Sequence, residues 1–201
     1  MTFKEALSTQ RWDDHRFYHH NRINQSLHLV SAISFVSAYV LLFIEPALSV
    51  LIGWLIAMPT RQAGHFFFEP RGFDEPNQVS HEYKEEVKVG YNLRRKVWLM
   101  SIWILSPIAL VVSPSCVGLL TPAHDAWSLI HNVSVLWLWI GIGGLLLRTV
   151  HLFFIMDVRS GLAWMTKILT DPFHDIALYH RAPLYVLRGE MFDPIVTEDV
   201  A

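Results

Sequence analysis

Residues 27–44 read LHLVSAISFVSAYVLLFI, an apolar run interrupted only by serines, Tyr39 and His28. Three further apolar runs follow, at residues 47–58, 97–120 and 126–147. Because a proline cannot continue a helix interior, Pro46 and Pro59 are expected to mark helix ends. A spanning helix needs about 20 apolar residues, so the first, third and fourth runs are long enough to cross a bilayer. The second run, Ala47–Met58, is short: it either continues past Pro59 towards Gly64 or forms a shallow, re-entrant hairpin with the first.

The distribution of basic residues indicates how these runs cross the membrane. No Lys or Arg occurs from Ile23 to Thr60 or from Val97 to Leu147. All 16 basic residues lie in the N-terminal segment, in the loop 61–96 or from Arg148 onwards. The positive-inside rule places these three segments on the cytoplasmic side, which requires an even number of crossings. The pattern predicts an all-α integral membrane protein with four transmembrane helices arranged as two hairpins, a cytoplasmic loop and a C-terminal tail.

Composition agrees with a membrane protein and excludes some functions. Hydrophobic residues make up 52% of the chain and charged residues only 17%, which is unusual for a soluble globule. A net charge of −2 without a basic stripe excludes nucleic acid as a partner. We predict a four-helix membrane domain at residues 1–156 and a cytoplasmic tail at residues 157–201 that packs on it. A bacterial inner membrane is the favoured location, or the endoplasmic reticulum in a eukaryote.

Two secondary-structure predictions concern the cytoplasmic segments. The loop 61–96 is expected to contain a helix at residues 79–96. In the tail, Asp171 precedes a proline, and this order is typical of a cap followed by the first helical residue. A tail helix beginning at Pro172 is therefore expected.

The first polar motif, YHHNRINQSLH, ends at His28, one residue into the first apolar run. Asn21 is a good N-cap, so a helix is expected to begin directly after it. Asn24 and His28 then lie one turn apart on the same helix face, with His19 just before the helix. If the helix begins earlier, His20 joins that face instead. Either arrangement collects metal-ligand side chains at a membrane boundary, where unsatisfied polar groups are costly.

The second polar motif, GHFFFE, follows the second apolar run. His65 and Glu69 are four residues apart and therefore face the same way on a helix. Imidazole and carboxylate are ligands of non-haem Fe(II) and of Zn. In a hairpin, the first helix begins and the second helix ends on the same membrane face. His28 and His65 are therefore expected to lie close together. His81 and Glu85 repeat the four-residue spacing on the same side.

Together, the two motifs and the hairpin between them resemble the membrane 2-hydroxy fatty acid dioxygenases. The positions that match the family pattern are His19, Asn24, His28, Gly64, His65 and Glu69. The resemblance implies four membrane helices, dependence on Fe(II) and histidines that are essential for activity. It also implies oxidative α-cleavage, in which O₂ converts a 2-hydroxy fatty acid to the acid one carbon shorter.

The resemblance further implies roles for individual residues. His19, His28 and His65 would hold the iron. His81 is the first choice for a fourth ligand, and the alternatives are His20, Glu69, His174 and His180. Asn24 would orient a ligand or hydrogen-bond the substrate, and Glu69 would support catalysis.

The expected substrate is a 2-hydroxy fatty acid or a related lipid, with its acyl chain between the helices and its polar head at the interface. O₂ would be the co-substrate. Two other functions fit the same residues. One is another metal-dependent membrane lipid enzyme, such as a hydroxylase or hydrolase. The other is a non-enzymatic membrane metal-binding protein. The sequence does not indicate the oligomeric state.

Overall fold

The computed structural model describes residues 1–69, 71–75 and 77–194. Over these ranges the chain is all-α and contains no β-strand, as predicted. The α-helices are α1 Phe3–Tyr18, α2 Arg22–Leu41, α3 Pro46–Ile52, α4 Met58–Ala63, α5 His81–Val87, α6 Leu93–Leu105, α7 Ile108–Val112, α8 Ala126–Ile155, α9 Val158–Tyr179 and α10 Ala182–Leu187.

The helix of the second apolar run continues past Pro59 beyond Gly64, which confirms the first of the two alternatives for this run, and the helix end expected at Pro59 is wrong. A π-helical turn at Gly53–Ala57 joins α3 to α4, and a second one at Gly64–Phe68 extends α4. The backbone is therefore helical from Pro46 to Phe68, a rod about 30 Å long. Pro59 is accommodated because it lies in the first turn of α4, directly after the wider π-helical turn.

Two stretches of helix are long and apolar enough to cross a membrane. They are Arg94–Val112, with a mean hydropathy of 1.5, and Ala126–Ile155, with a mean hydropathy of 1.8. Only 11% and 17% of these segments are buried within the protein, whereas the core helix of a soluble protein is mostly buried. Their exposed apolar surface supports association with a membrane.

The C-terminal part of the chain contributes one long helix, α9, which packs against α1, α2 and α8. Pro172 lies inside α9, so the predicted helix start at Pro172 is wrong. Asp157 caps the helix instead, because its side chain accepts a hydrogen bond from the backbone N–H of Ser160 at 2.8 Å. Asp171 is engaged within the helix by Lys167, whose Nζ lies 2.7 Å from Oδ2.

The predicted helix at residues 79–96 is interrupted between α5 and α6. Asn92 begins the second of these helices, since its side chain accepts from the backbone N–H of Arg95 at 3.0 Å. Lys88, directly after α5, pairs with Glu69 of the second motif. The helix α6 instead packs beside α8.

A tryptophan cluster joins the apolar helices on the other side of the molecule. Trp54 stacks on Trp103 with ring centroids 5.3 Å apart, and Trp137 lies 5.5 Å from Trp103. Trp103, Trp137 and Val50 form a buried core between α3, α6 and α8, and the partly buried Trp54 of the π-helical turn packs against it. The polar residues of the two motifs gather at the opposite end, where α1, α2, α9 and the end of the Pro46–Phe68 rod meet.

Candidate metal centre

Three histidines from three parts of the chain converge at this polar end. One ligand nitrogen from each of His19, His28 and His65 lies within 4.8 Å of the corresponding atoms of the other two. The ring centroids are 4.1 Å apart for His19 and His28, 5.2 Å for His19 and His65, and 5.0 Å for His28 and His65. Their exposed fractions are 2%, 0% and 7%. The structure thus brings together three of the four predicted metal ligands in a buried cluster.

The corner between α1 and α2 positions His19 opposite His28. Asn21 caps α2, because its Oδ1 accepts from the backbone N–H groups of Ile23 at 2.8 Å and Asn24 at 3.2 Å. Asn24 Nδ2 donates to the carbonyl oxygen of Tyr18 at 2.7 Å. This hydrogen bond spans the corner between α1 and α2. The Asn24 side chain, which was predicted to orient a ligand, thus fixes the backbone next to His19.

His65 reaches the cluster because Gly64 allows its helix to approach α2 closely. A Cβ atom added at Gly64 would lie 2.1 Å from Oδ1 of Asn24 and 3.2 Å from Cδ2 of His28. Any side chain at this position would therefore push the Pro46–Phe68 rod away from α2. The glycine of the second motif is required by this contact.

Each histidine of the cluster has a carboxylate on the Nδ1 side of its ring. The pairs are His65 with Glu69 at 2.8 Å, His28 with Asp175 at 3.7 Å, and His19 with Asp14 at 3.6 Å. Histidines that bind metals commonly direct their second ring nitrogen at a carboxylate, which fixes the tautomer and the ring orientation. This arrangement leaves Nε2 of each ring for a metal ion.

The cluster contains buried polar atoms that lack partners among the described residues. They include Nε2 of His19, both ring nitrogens of His28 and Oδ1 of Asn24. A buried polar atom without a partner costs about 1–3 kcal/mol. A metal ion bound by the Nε2 atoms would satisfy two of these atoms, which is why the donor set fits such an ion.

The three carboxylates are in turn neutralised by basic side chains. The pairs are Asp14 with Lys167 at 2.9 Å, Asp175 with Arg61 at 3.1 Å, and Glu69 with Lys88 at 2.9 Å. Burial alone would raise the pKa of Asp14, but the nearby Lys167 and His19 outweigh it and hold the pKa far below its usual range. The charges behind the histidines therefore balance one another.

The histidines themselves are held in the form that binds metals. Burial, and then the proximity of His28, lowers the pKa of His19 well below its ordinary value of 6.5. Burial, and then the charge of Lys96, lowers the pKa of His65 in the same way. Both rings are thus neutral at pH 7, so a metal ion would not have to displace a proton from them.

The other predicted ligands do not belong to the group of three. His81 lies at the start of α5. Lys88, at the opposite end of this helix, reaches the site by pairing with Glu69. Glu69 is bonded to His65 and acts behind it. His20 bonds the carbonyl oxygen of Arg16, and its ring packs near Phe192.

The two tail histidines also lie outside the group. His174 lines a small pocket together with Asp171 and Asp175, and this pocket also borders His19, but no ligand atom of His174 belongs to the group of three. His180 is exposed and bonds the carbonyl oxygen of Ala177 within its own turn. Among the described residues, only His19, His28 and His65 have ligand atoms that all lie within 4.8 Å of one another.

Several residues of the site were not identified from the sequence. Asp14, Arg61 and Asp175 each face the cluster, although they lie on three different helical segments. A signal was present on α9, where Lys167 and Asp175 are eight residues apart and share one helix face. Such a stripe of opposite charges on an otherwise apolar helix indicates a buried ionic network.

A cavity of about 410 Å³ begins beside this cluster. Its polar lining consists mainly of Asp13, Asp14, Arg61, His65, Lys88, Lys96 and Lys167. Its apolar lining includes Phe35, Leu42, Val50, Trp54, Leu138 and Ile140. The cavity therefore connects one ligand of the histidine cluster to the apolar space between the helices.

No family model matches this chain, and neither a curated protein nor a solved structure is similar to it. The fold and site define an all-α protein with a buried three-histidine cluster, each ring backed by a carboxylate. The functional argument therefore depends on the geometry of this cluster and the adjacent cavity.

Proposed function

We propose that this chain is an integral membrane, Fe(II)-dependent dioxygenase that cleaves 2-hydroxy fatty acids to the acid one carbon shorter. The observation that carries the proposal is the buried cluster of His19, His28 and His65, in which every ring has a carboxylate at Nδ1. A structural histidine needs only an ordinary hydrogen bond. A shared cation would account for three buried rings that face one another.

His19, His28 and His65 would hold the metal through Nε2. Three neutral imidazoles suit Fe(II) and leave coordination positions open. When bound, the iron would supply the redox chemistry that O₂ requires and a binding position for a chelating 2-hydroxy carboxylate. The proposal uses three histidines and does not require His81 as a ligand.

The reaction balances without an external reductant. One 2-hydroxy acid and one O₂ give the shortened acid, CO₂ and water. The bond between the carboxyl carbon and the α-carbon breaks, and the α-carbon becomes the new carboxyl carbon. All the electrons taken up by O₂ come from these two carbons, so the enzyme would need no electron-transfer partner.

The adjacent cavity supports a lipid substrate. It has a polar end at His65 and apolar walls that include Phe35 and Trp54. Its volume of about 410 Å³ lies within the range of sites that enclose one small ligand. An acyl chain would lie along the apolar part, with its polar head beside the histidine cluster.

The proposed topology has four transmembrane helices. Beyond the two spans already described, α2 and the Pro46–Phe68 rod would form the other hairpin. Both expose large apolar side chains, among them Val40 and Leu55, at 59% and 54%. Under the positive-inside rule, the distribution of basic residues favours the cytoplasmic side for the histidine cluster. A bacterial inner membrane is the favoured location, with the endoplasmic reticulum as its eukaryotic equivalent.

Metal analysis of the purified protein tests the proposal most directly. We expect stoichiometric iron in the wild type and its loss in His28→Ala and His65→Ala. His180→Ala is the matched control, since His180 is exposed and is not one of the three grouped histidines. Incubation with 2-hydroxypalmitate under O₂ should then give pentadecanoate and CO₂.

Specific results would overturn the proposal. Metal content unchanged in both cluster variants would exclude the metal site. Stoichiometric zinc with hydrolysis of a lipid and no O₂ uptake would favour another metal-dependent lipid enzyme. Stoichiometric iron with no turnover of any 2-hydroxy acid would favour a non-enzymatic metal-binding protein.

A further inference from the structure

Four basic side chains line the cavity, and three of them are paired with carboxylates. Arg61 pairs with Asp175, Lys88 with Glu69, and Lys167 with Asp14 and Asp171. The fourth is Lys96, in the first turn of α6. Within the part of the chain that the structure describes, no carboxylate oxygen lies within 4 Å of its ammonium group. Among the described residues, Lys96 is thus the basic side chain of the cavity that has no carboxylate partner.

Lys96 and His65 line the same cavity. The side chain of Lys96 is partly buried, and His65 is the ligand of the histidine cluster that borders this cavity. A lipid whose polar head lies beside His65 would therefore share the cavity with Lys96.

The balance of charge around the cluster explains what Lys96 requires. Each carboxylate behind the histidines already pairs with a basic side chain. These ion pairs therefore do not neutralise positive charge on the cavity side of the histidines. A divalent metal and Lys96 would together leave an excess of positive charge facing a largely apolar cavity. A cation in such surroundings is costly unless an anion pairs with it.

We propose that Lys96 binds the carboxylate of the acyl substrate and so selects free fatty acids at the polar end of the cavity. The inference rests on the proposed function and deepens it, because it assigns the residue that recognises the acid group. The acyl chain then extends towards Trp54 and the apolar wall. Neutral lipids of the same chain length, such as alcohols and amides, lack the group that Lys96 recognises.

A membrane phospholipid is the other source of an anionic group with an acyl chain. Its headgroup phosphate would also pair with an ammonium group. It carries two chains, however, whereas the cavity of about 410 Å³ is of a size for one small ligand. We therefore expect the single-chain acid to be the ligand, and the binding experiment includes a phospholipid as a competitor.

The test is equilibrium binding of 2-hydroxypalmitate to metal-free protein in detergent, compared with hexadecanol. Lys96→Met should weaken binding of the acid by about ten- to hundredfold and leave hexadecanol unchanged, because one charge-assisted interaction is lost. Lys96→Arg should restore most of the affinity. Arg94→Met is the matched control, since it removes an exposed charge two residues away on the same helix and should bind like the wild type.

The results separate this inference from the proposed function. Equal affinity of wild type and Lys96→Met for the acid would overturn the role of Lys96, whether or not iron and turnover are found. An affinity that depends on Lys96 in a protein without iron would support the inference while the dioxygenase proposal fails. Displacement of the acid by phosphatidylglycerol, with no preference for the single-chain acid, would assign the cavity to a membrane lipid and overturn the inference. Thermal unfolding of Lys96→Met and Lys96→Arg shows whether both variants are folded.

Discussion

Nδ1 of His28 lies 3.7 Å from Oδ2 of Asp175, a contact that joins the start of α2 to the end of α9. Arg61 holds the same carboxylate from the other side at 3.1 Å. Asp175 is buried, with an exposed fraction of 5%. The C-terminal helix is therefore part of the site, because it places a carboxylate beside the central histidine.

We expect Asp175→Asn to weaken metal binding by about ten- to hundredfold, the usual cost of losing a carboxylate behind a ligating histidine. The amide has nearly the same shape, so the fold should be retained. Metal titration with a competing chelator measures the change. Glu190→Gln, which alters an exposed carboxylate, is the control. If Asp175→Asn binds metal as tightly as this control, Asp175 does not orient His28.

Gly64→Ala should disrupt the approach of the Pro46–Phe68 rod to α2. The new Cβ would lie 2.1 Å from Oδ1 of Asn24, so the helices must separate. We expect a loss of about 1–3 kcal/mol in the free energy of unfolding and a loss of bound metal. Gly143→Ala is the control, since a Cβ there meets nothing within 4 Å.

A double-mutant cycle tests whether that contact is the cause. In an Asn24→Ala background the oxygen that clashes is absent, so Gly64→Ala should cost less than it does in the wild type. The free energies of unfolding of the four proteins, measured by calorimetry or denaturant titration, give the coupling free energy. Equal costs in both backgrounds would show that another contact of Gly64 is responsible.

The pH dependence of metal binding follows from the lowered pKa values of His19 and His65. A metal ion competes with no proton at these rings until the pH falls well below 6.5. Affinity should therefore change little between about pH 8 and about pH 6.5 and weaken only at lower pH. Titrations across this range measure it. A steep loss of affinity that begins at or above the ordinary histidine pKa would contradict the prediction.

The same two groups make the metal-free protein less stable in acid. The unfolded chain takes up protons at His19 and His65 once the pH falls below 6.5, whereas the folded chain does not. The unfolded state then binds more protons, so the free energy of unfolding falls as the pH falls through that value. Denaturant unfolding of the metal-free protein should show the decline. His19→Gln should reduce its slope, and an unchanged slope would contradict this assignment.

The sequence predicted the histidine cluster because its signals are local. Asn21 marks a helix start, and that start places Asn24 and His28 on one face beside His19. The hairpin then returns His65 to the same end. The shared face of Asn24 and His28 needs only capping preferences and helix periodicity. The choice of His19 over His20, and of these histidines as iron ligands, depends on the resemblance to the dioxygenase family.

The carboxylates and their partners could not be predicted in this way. Asp14 and Asp175 become neighbours of the histidines only because α1 and α9 pack against α2. Asp171 and Pro172 also resemble a helix start locally, but burial of one face of α9 keeps the helix continuous through both. For His81, the local spacing predicted a ligand that the packing does not bring to the site. Its spacing to Glu85 is that of a ligand pair, yet α5 presents its other end to the site.

The proposed four-crossing topology predicts which loops are reachable from outside an intact cell. Single cysteines at Glu45→Cys and Ala123→Cys, placed in exposed turns of a Cys116→Ser background, should react with a membrane-impermeant maleimide in intact cells. Gly72→Cys, in the exposed loop before α5, should react only after lysis, because the positive-inside rule places that loop in the cytoplasm. Each variant should contain as much iron as the parent, which shows that it is folded. If Glu45→Cys is protected in intact cells while Ala123→Cys reacts, the first hairpin is re-entrant and only the second pair of helices spans the bilayer.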